Sequence, residues 1–176
     1  HDRAIEHYVN ALALDAADLH DDAITQLEEA VKIDQDFSLA YSLLGDLYRQ
    51  QGQFQQAAHA YENACRLDPW AFEDHLHLGQ VYQALKRFLD AVKVLKRACL
   101  LRPGSIEANY TLGVCFYQIE DYQQAAQFCS KAAQLDPNNH QILASLGDIY
   151  GRSGSYYQAI NAYKRALEIS GTQVEI

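Results

Sequence analysis

The sequence predicts an all-α solenoid of antiparallel helix pairs, and three observations carry that prediction. Gly45, Gly79, Gly113 and Gly147 lie 34 residues apart. The chain's three prolines, Pro69, Pro103 and Pro137, fall on the same interval. Between these markers, apolar residues recur at helical spacing and never in strand alternation. A fixed period of this length means one supersecondary unit, repeated because it cannot bury its apolar face alone.

Taken in order, the first unit spans residues 4–37 and keeps the pattern loosely. His7, Asn10, Ala11 and Leu14 mark its first helix, Ala23, Leu27 and Ala30 its second, and Gln35 stands in the proline column. Residues 38–71 show the unit at its clearest. Tyr41, Leu44, Gly45 and Tyr48 fall at i, i+3, i+4 and i+7, on one helical face. Gln51-Gly52-Gln53 then stops the first helix, glycine accepting the left-handed backbone of a helix end. Ala57, Tyr61 and Ala64 again share one face, and Leu67-Asp68-Pro69 closes the unit because proline cannot continue a helix. Gly45 and Ala57 are expected where the two helix axes cross, and Ala64 where the second helix meets the next unit. A larger residue at Gly45 would overpack the pair.

The later units repeat the scheme. Residues 72–105 give His75, Leu78, Gly79 and Tyr82, then Ala91, Leu95, Ala98 and Pro103. Residues 106–139 give Asn109, Leu112, Gly113 and Phe116, then Ala125, Cys129, Ala132 and Pro137. Residues 140–173 give Leu143, Leu146, Gly147 and Tyr150, then Ala159, Tyr163 and Ala166, with Gly171 replacing the proline. The expected organisation is one solenoid domain over 1–176, with five units and ten helices.

The series Tyr41-x2-Leu44-Gly45-x2-Tyr48, then Ala57-x3-Tyr61-x2-Ala64 and Pro69, resembles the tetratricopeptide repeat (TPR). The resemblance covers residues 4–173. It implies a right-handed superhelix whose concave groove is lined by the first helix of each pair. It also implies a role in protein–protein interaction through capture of a peptide or helix. Pentatricopeptide arrays, which read RNA, run near 35 residues and are basic, and this chain is neither.

Composition narrows the partner. Of 176 residues, 49% are hydrophobic, enough for a continuous core, and the net charge is −9, which argues against a nucleic-acid backbone as partner. Residues 4–37 hold nine acids against one base, whereas residues 72–105 hold six bases against three acids. An acidic end and a basic middle would steer a basic partner or a second copy of the chain. No apolar run reaches the length of a membrane span, so no membrane insertion is expected. Four cysteines, two of them a full period apart, read as reduced packing residues and point to the cytoplasm. Methionine is absent even at position 1, which reads as a piece of a longer chain.

On each first helix, the face opposite the Leu–Gly seam should look into the groove. That selects Tyr8 and Leu12, then Asp46 and Arg49, then His77, Gln80 and Gln83, then Tyr110, Val114 and Tyr117, and finally Asp148 and Arg152. The chaperone-type carboxylate clamp of some TPR proteins needs Lys, Asn and Arg at set groove positions. Tyr8, Leu12, Leu43, Glu73 and His77 stand there instead. A ladder of groove asparagines is likewise missing, since Leu43, His77, Thr111 and Ser145 stand just before the Leu–Gly pairs, where it would need asparagine. Tyr110 and Tyr117, with Gln80 and Gln83, are expected to form the anchor patch, because tyrosine offers area and a polar tip at low entropy cost.

No catalytic pattern is legible, and neither cofactor nor metal is expected. His75 and His77 diverge on a helix and cannot share an ion. Gly151-Arg152-Ser153-Gly154 follows a helix instead of a strand, so it reads as a terminator. The expected function is therefore a non-catalytic scaffold or adaptor. Two alternatives remain: self-assembly through the solenoid ends, where Ile160, Tyr163 and Leu167 form a bare apolar face, and a regulatory module of a larger enzyme.

Overall fold

The computed structural model describes residues 2–172. They form ten α-helices with no strand among the described residues. The helices are α1 (Asp2–Asp15), α2 (His20–Ile33), α3 (Ser38–Gln50), α4 (Phe54–Leu67), α5 (Phe72–Ala84), α6 (Phe88–Leu101), α7 (Ile106–Gln118), α8 (Tyr122–Leu135), α9 (His140–Arg152) and α10 (Tyr156–Thr172). The chain divides into two compact units, residues 1–86 with α1–α5 and residues 87–176 with α6–α10. Within the first unit α1 packs on α2, α2 on α3, α3 on α4 and α4 on α5. Within the second, α6 through α10 pack in the same sequential way.

Every turn from a first to a second helix uses one residue with left-handed backbone at the same repeat position: Asp18, Gly52, Lys86, Glu120 and Gly154. The following amide then reaches back to close the helix end, as Gln53 N donates to Tyr48 O at 2.8 Å and Asp121 N to Phe116 O at 3.0 Å. Glycine fills this position in only two units, so three units carry a strained side chain there. Three second helices end as the prolines predict, and α2 ends the same way with Gln35 in the proline column. Asp34, Asp68, Arg102 and Asp136 leave the helix in extended backbone, with φ near −124° to −136°. Helix starts differ between the units. Ser105, Asp121 and Asn139 each accept an N-terminal amide from their helix, while Leu19, Phe37, Gln53 and Ala71 offer no side-chain cap.

The core is a seam of alanines with large side chains set between them. Ala23, Ala57, Ala91, Ala125 and Ala159 are buried, as are Ala30, Ala64, Ala98, Ala132 and Ala166. The seam glycines lie chiefly against a larger side chain of the second helix, and at Gly113 the backbone of Ala125, in the Ala57 column, lies close as well. A methyl added to Gly45 would sit 2.6 Å from the Tyr61 ring, and one added to Gly147 would sit 2.5 Å from the Tyr163 ring. At Gly113 the neighbour is Cys129, whose Sγ would lie 2.4 Å and whose amide nitrogen 3.0 Å from the new carbon. The glycine is thus a slot for the side chain sixteen residues later.

A second column ties each first helix to the helix before it. Tyr48 donates to Glu28 at 2.7 Å, Tyr82 to Glu62 at 2.5 Å, and Tyr150 pairs with Ser130 at 3.2 Å. In the fourth unit the partner is Lys96 and the aromatic is Phe116, with the ammonium 5.3 Å from the ring centroid. An oxygen partner goes with tyrosine and a cation with phenylalanine.

Candidate protein-interaction site

The Gly–Tyr slot also places the polar residues. In the first unit the Tyr61 ring crosses Gly45 and its hydroxyl emerges beside Asp46, to whose Oδ1 it donates at 2.6 Å. Arg49 Nε donates to the same hydroxyl at 3.2 Å, and His77 Nδ1 stands 3.1 Å from Asp46 Oδ1. The Tyr61 and His77 rings meet with centroids 5.7 Å apart. A single carboxylate therefore gathers a phenol, an imidazole and a guanidinium from α3, α4 and α5. Burial acts to raise the Asp46 pKa, but the hydrogen bonds from His77 and Tyr61 and the positive charge around it prevail. The carboxyl is held below its ordinary range.

Beside it, Ser42 Oγ donates at 2.8 Å to Asp74 Oδ2. Asp74 is buried, and its pKa moves the other way: burial raises it, aided by the neighbouring charge of Asp46. His75 is buried too, its ring nitrogen on the Ala71 carbonyl at 2.9 Å, as its seam position predicts.

The second unit repeats half of this arrangement. Tyr163 crosses Gly147 and donates to Asp148 Oδ1 at 2.5 Å, and this bond, before burial, lifts the phenol to about 12. Arg152 is exposed, and its pKa is raised by a side-chain hydrogen bond with the Tyr117 phenol. Tyr117 also meets Tyr122, ring centroids 5.8 Å apart. Tyr110 is half-buried and spends its hydroxyl on Ser145 Oγ at 2.9 Å, which links α7 to α9.

The sequence-selected groove residues thus fall into groups. Asp46, Arg49 and His77 come together in the first unit, while in the second Tyr117 pairs with Arg152 and Asp148 with Tyr163. Tyr8 is half-buried against Phe37, ring centroids 5.0 Å apart, and Leu12 is exposed. Gln80, Gln83 and Val114 are half-buried on α5 and α7. Tyr61, Ser42, Asp74 and Tyr122 escaped the sequence reading of the groove. A signal for Tyr61 was present: Gly-Asp occurs only in the second and fifth units, and only there does tyrosine stand sixteen residues after the glycine. On α10, Ile160 and Leu167 are exposed, while their counterparts Val92 and Cys99 on α6 are buried. No three described His, Cys, Asp or Glu residues are grouped to hold a metal ion, and no described helix is long and apolar enough to cross a membrane.

Comparison with known proteins agrees with this fold. Family models described as TPR repeat and tetratricopeptide repeat match residues 45–86, 106–139, and 75–105 with 140–173. The small glutamine-rich tetratricopeptide repeat-containing protein 2 of Mycosarcoma maydis is 42% identical over 50 residues, 28% of this chain and 14% of that protein's length. Among solved structures, MamA protein is 21% identical with a TM-score of 0.92, covering 99% of this chain and 95% of its own. The 41-end form of MamA from Desulfovibrio magneticus RS-1 is 20% identical with a TM-score of 0.87, covering 98% of each chain. YrrB, a TPR protein with an unusual peptide-binding site, is 22% identical with a TM-score of 0.89, covering 94% of this chain and 86% of its own. The chain belongs to the tetratricopeptide repeat family, a family of protein-interaction scaffolds.

Proposed function

We propose that this chain is a non-catalytic scaffold that captures a peptide or helix of a partner protein along its first helices, without a chaperone-type carboxylate clamp. The observation that carries this reading is the pair of Tyr–Asp constellations on the first-helix face, Tyr61–Asp46 with Arg49 beside it and Tyr163–Asp148. Tyr61 is fully buried, so it cannot itself touch a partner; tied to Asp46, it holds that carboxylate in one rotamer, which lowers the entropy cost of using Asp46, Arg49 and His77 as anchors. YrrB, similar in fold, has a peptide-binding site, which supports the same use here.

The test is a pull-down read by mass spectrometry, comparing the wild-type chain with Tyr110→Ala/Tyr117→Ala and with Arg49→Ala/Arg152→Ala. Loss of the same captured protein in both variants, with unchanged helix content, supports the reading. Full retention in both sinks it.

A second reading rests on α10. Ile160 and Leu167 are 52% and 70% exposed where other second helices are covered. This apolar face suits contact with a second copy through the solenoid end. Light scattering over a dilution series checks it: a constant monomer mass at every concentration removes self-association.

A further inference from the structure

Two rows of first-helix side chains in the first unit, those on α1 and α3, differ from the rows on the later first helices. On α1, Ile5, Val9 and Leu12 fall at i, i+4 and i+7, and all three are at least 42% exposed. On α3, Leu39 is 59% exposed and Leu43 half-buried, one turn apart. These five residues occupy three repeat columns. The same columns in later units hold Glu73, His77 and Gln80, then Glu107, Thr111 and Val114, then Gln141, Ser145 and Asp148. Among the described first helices, α1 and α3 alone carry large exposed aliphatics, so a continuous apolar strip is confined to this part of the first-helix face.

We propose that the α1–α3 face of the first unit receives an amphipathic partner helix with a cationic flank. The proposal rests on the scaffold reading above and names the partner's chemistry. The shape of the occupant follows from hydrogen bonding. An extended peptide presents free backbone amides and carbonyls, which its host must satisfy. The shelf of Ile5, Val9, Leu12, Leu39 and Leu43 has no side-chain donors or acceptors, and the neighbouring Ser42 hydroxyl is already engaged with Asp74 and Ser38. A helix satisfies its own backbone and needs only an apolar stripe, which this shelf matches at helical spacing.

The charge of the occupant follows from the unit's field. Residues 1–86 carry fifteen acidic and five basic residues, net −10, while residues 87–176 carry eight acidic and nine basic. The shelf thus sits in the acidic unit, with Asp46 following Leu43 by three residues on the same helix. Lysines or arginines flanking a partner's apolar stripe gain from that field, and glutamates lose.

The experiment uses the full chain and three labelled 18-residue peptides: a Leu/Lys amphipathic helix, a Leu/Glu helix of the same pattern, and the Leu/Lys sequence with a central proline. Fluorescence anisotropy should show the Leu/Lys helix binding at least tenfold tighter than either other peptide. Val9→Asp/Leu39→Asp should weaken it at least tenfold, and the milder Val9→Ser/Leu39→Ser should weaken it severalfold, both with unchanged circular dichroism. Equal binding of the proline peptide overturns the helix assignment, and equal binding of the Leu/Glu peptide overturns the charge assignment. Binding that survives both shelf variants overturns the site. If the chain alone doubles its mass in light scattering and the shelf variants restore the monomer, a second copy is the occupant and the proposal falls. Loss of pull-down partner in Tyr110→Ala/Tyr117→Ala but full retention in the shelf variants would also sink this proposal, while leaving the scaffold reading intact.

Discussion

Tyr61 lies across Gly45, and the absence of one methyl group on the glycine is what lets the ring pass. The relationship makes two substitutions comparable. Gly45→Ala should gain about 1 kcal/mol of helix propensity but force the Tyr61 ring aside, with overpacking of about 1–3 kcal/mol. At Gly113 the added methyl would lie 3.2 Å from the Ala125 carbonyl oxygen and 3.0 Å from the Cys129 amide, so backbone itself must move. Gly113→Ala should therefore destabilise more than Gly45→Ala in urea titrations. Pairing Gly45→Ala with Tyr61→Leu should recover most of the loss, and an additive double mutant would contradict the slot.

Asp46 and Asp74 sit in one neighbourhood with opposite pKa shifts, and linkage turns that into opposite pH effects. Asp46 is lowered in the fold, so it contributes stability above its unfolded value that is lost as pH falls through the folded one. Asp74 is raised, chiefly by burial, so its ionisation opposes folding at neutral pH and its contribution is present in acid. Asp46→Asn should lower the melting temperature at pH 7, with the difference shrinking as pH drops below the ordinary carboxylate range. Asp74→Asn should raise it at pH 7, because asparagine still accepts from Ser42 without a buried charge. Thermal melts of the two variants between pH 3 and pH 7 decide the matter, and shifts of the same sign would refute it.

The helices and their limits were legible because their causes are local. Gly52 ends α3 through its own φ of 73°, and Pro69 stops α4 through its ring, so both can be read from a single residue. The Asp46 cluster was legible only in part. Column counting finds Asp46, Arg49 and His77 on the first-helix face, but not Tyr61, which belongs to the second helix and reaches that face through the glycine slot. A side chain's reach across a helix pair depends on what is missing opposite it, and a repeat column does not record that. For the same reason Tyr110 reads as a free anchor in the sequence, yet it spends its hydroxyl on Ser145.

Glu120 holds the left-handed turn position with φ 63°, where Gly52 and Gly154 serve in other units. A side chain there costs roughly 1–2 kcal/mol, offset in part by the greater freedom glycine has in the unfolded chain. Glu120 is exposed, so no packing is lost on removing it. Glu120→Gly should stabilise the second unit by about 1 kcal/mol, read from the urea midpoint. Glu120→Ala should stay near the wild type, which separates backbone strain from loss of the carboxylate.

Phe116 faces Lys96 where Tyr48 and Tyr82 face Glu28 and Glu62, so the column pairs a bare ring with a cation and a phenol with a carboxylate. The pairing can be exchanged. Lys96→Glu alone places a carboxylate over the electron-rich face of Phe116 and should cost about 0.5–1 kcal/mol. Phe116→Tyr alone adds a hydroxyl beside the Lys96 ammonium, which cannot accept its proton. Together they rebuild the Tyr–Glu pair of the second and third units, and Tyr48, raised to about 12 by burial and by Glu28, gives the expected spectroscopic signature. In the double variant the new tyrosine should ionise above its ordinary range in an alkaline absorbance titration. Its stability should exceed the sum of the single effects by about 1 kcal/mol in a double-mutant cycle. A coupling energy near zero would mean that the aromatic column is held by burial alone, with its polar partners as bystanders.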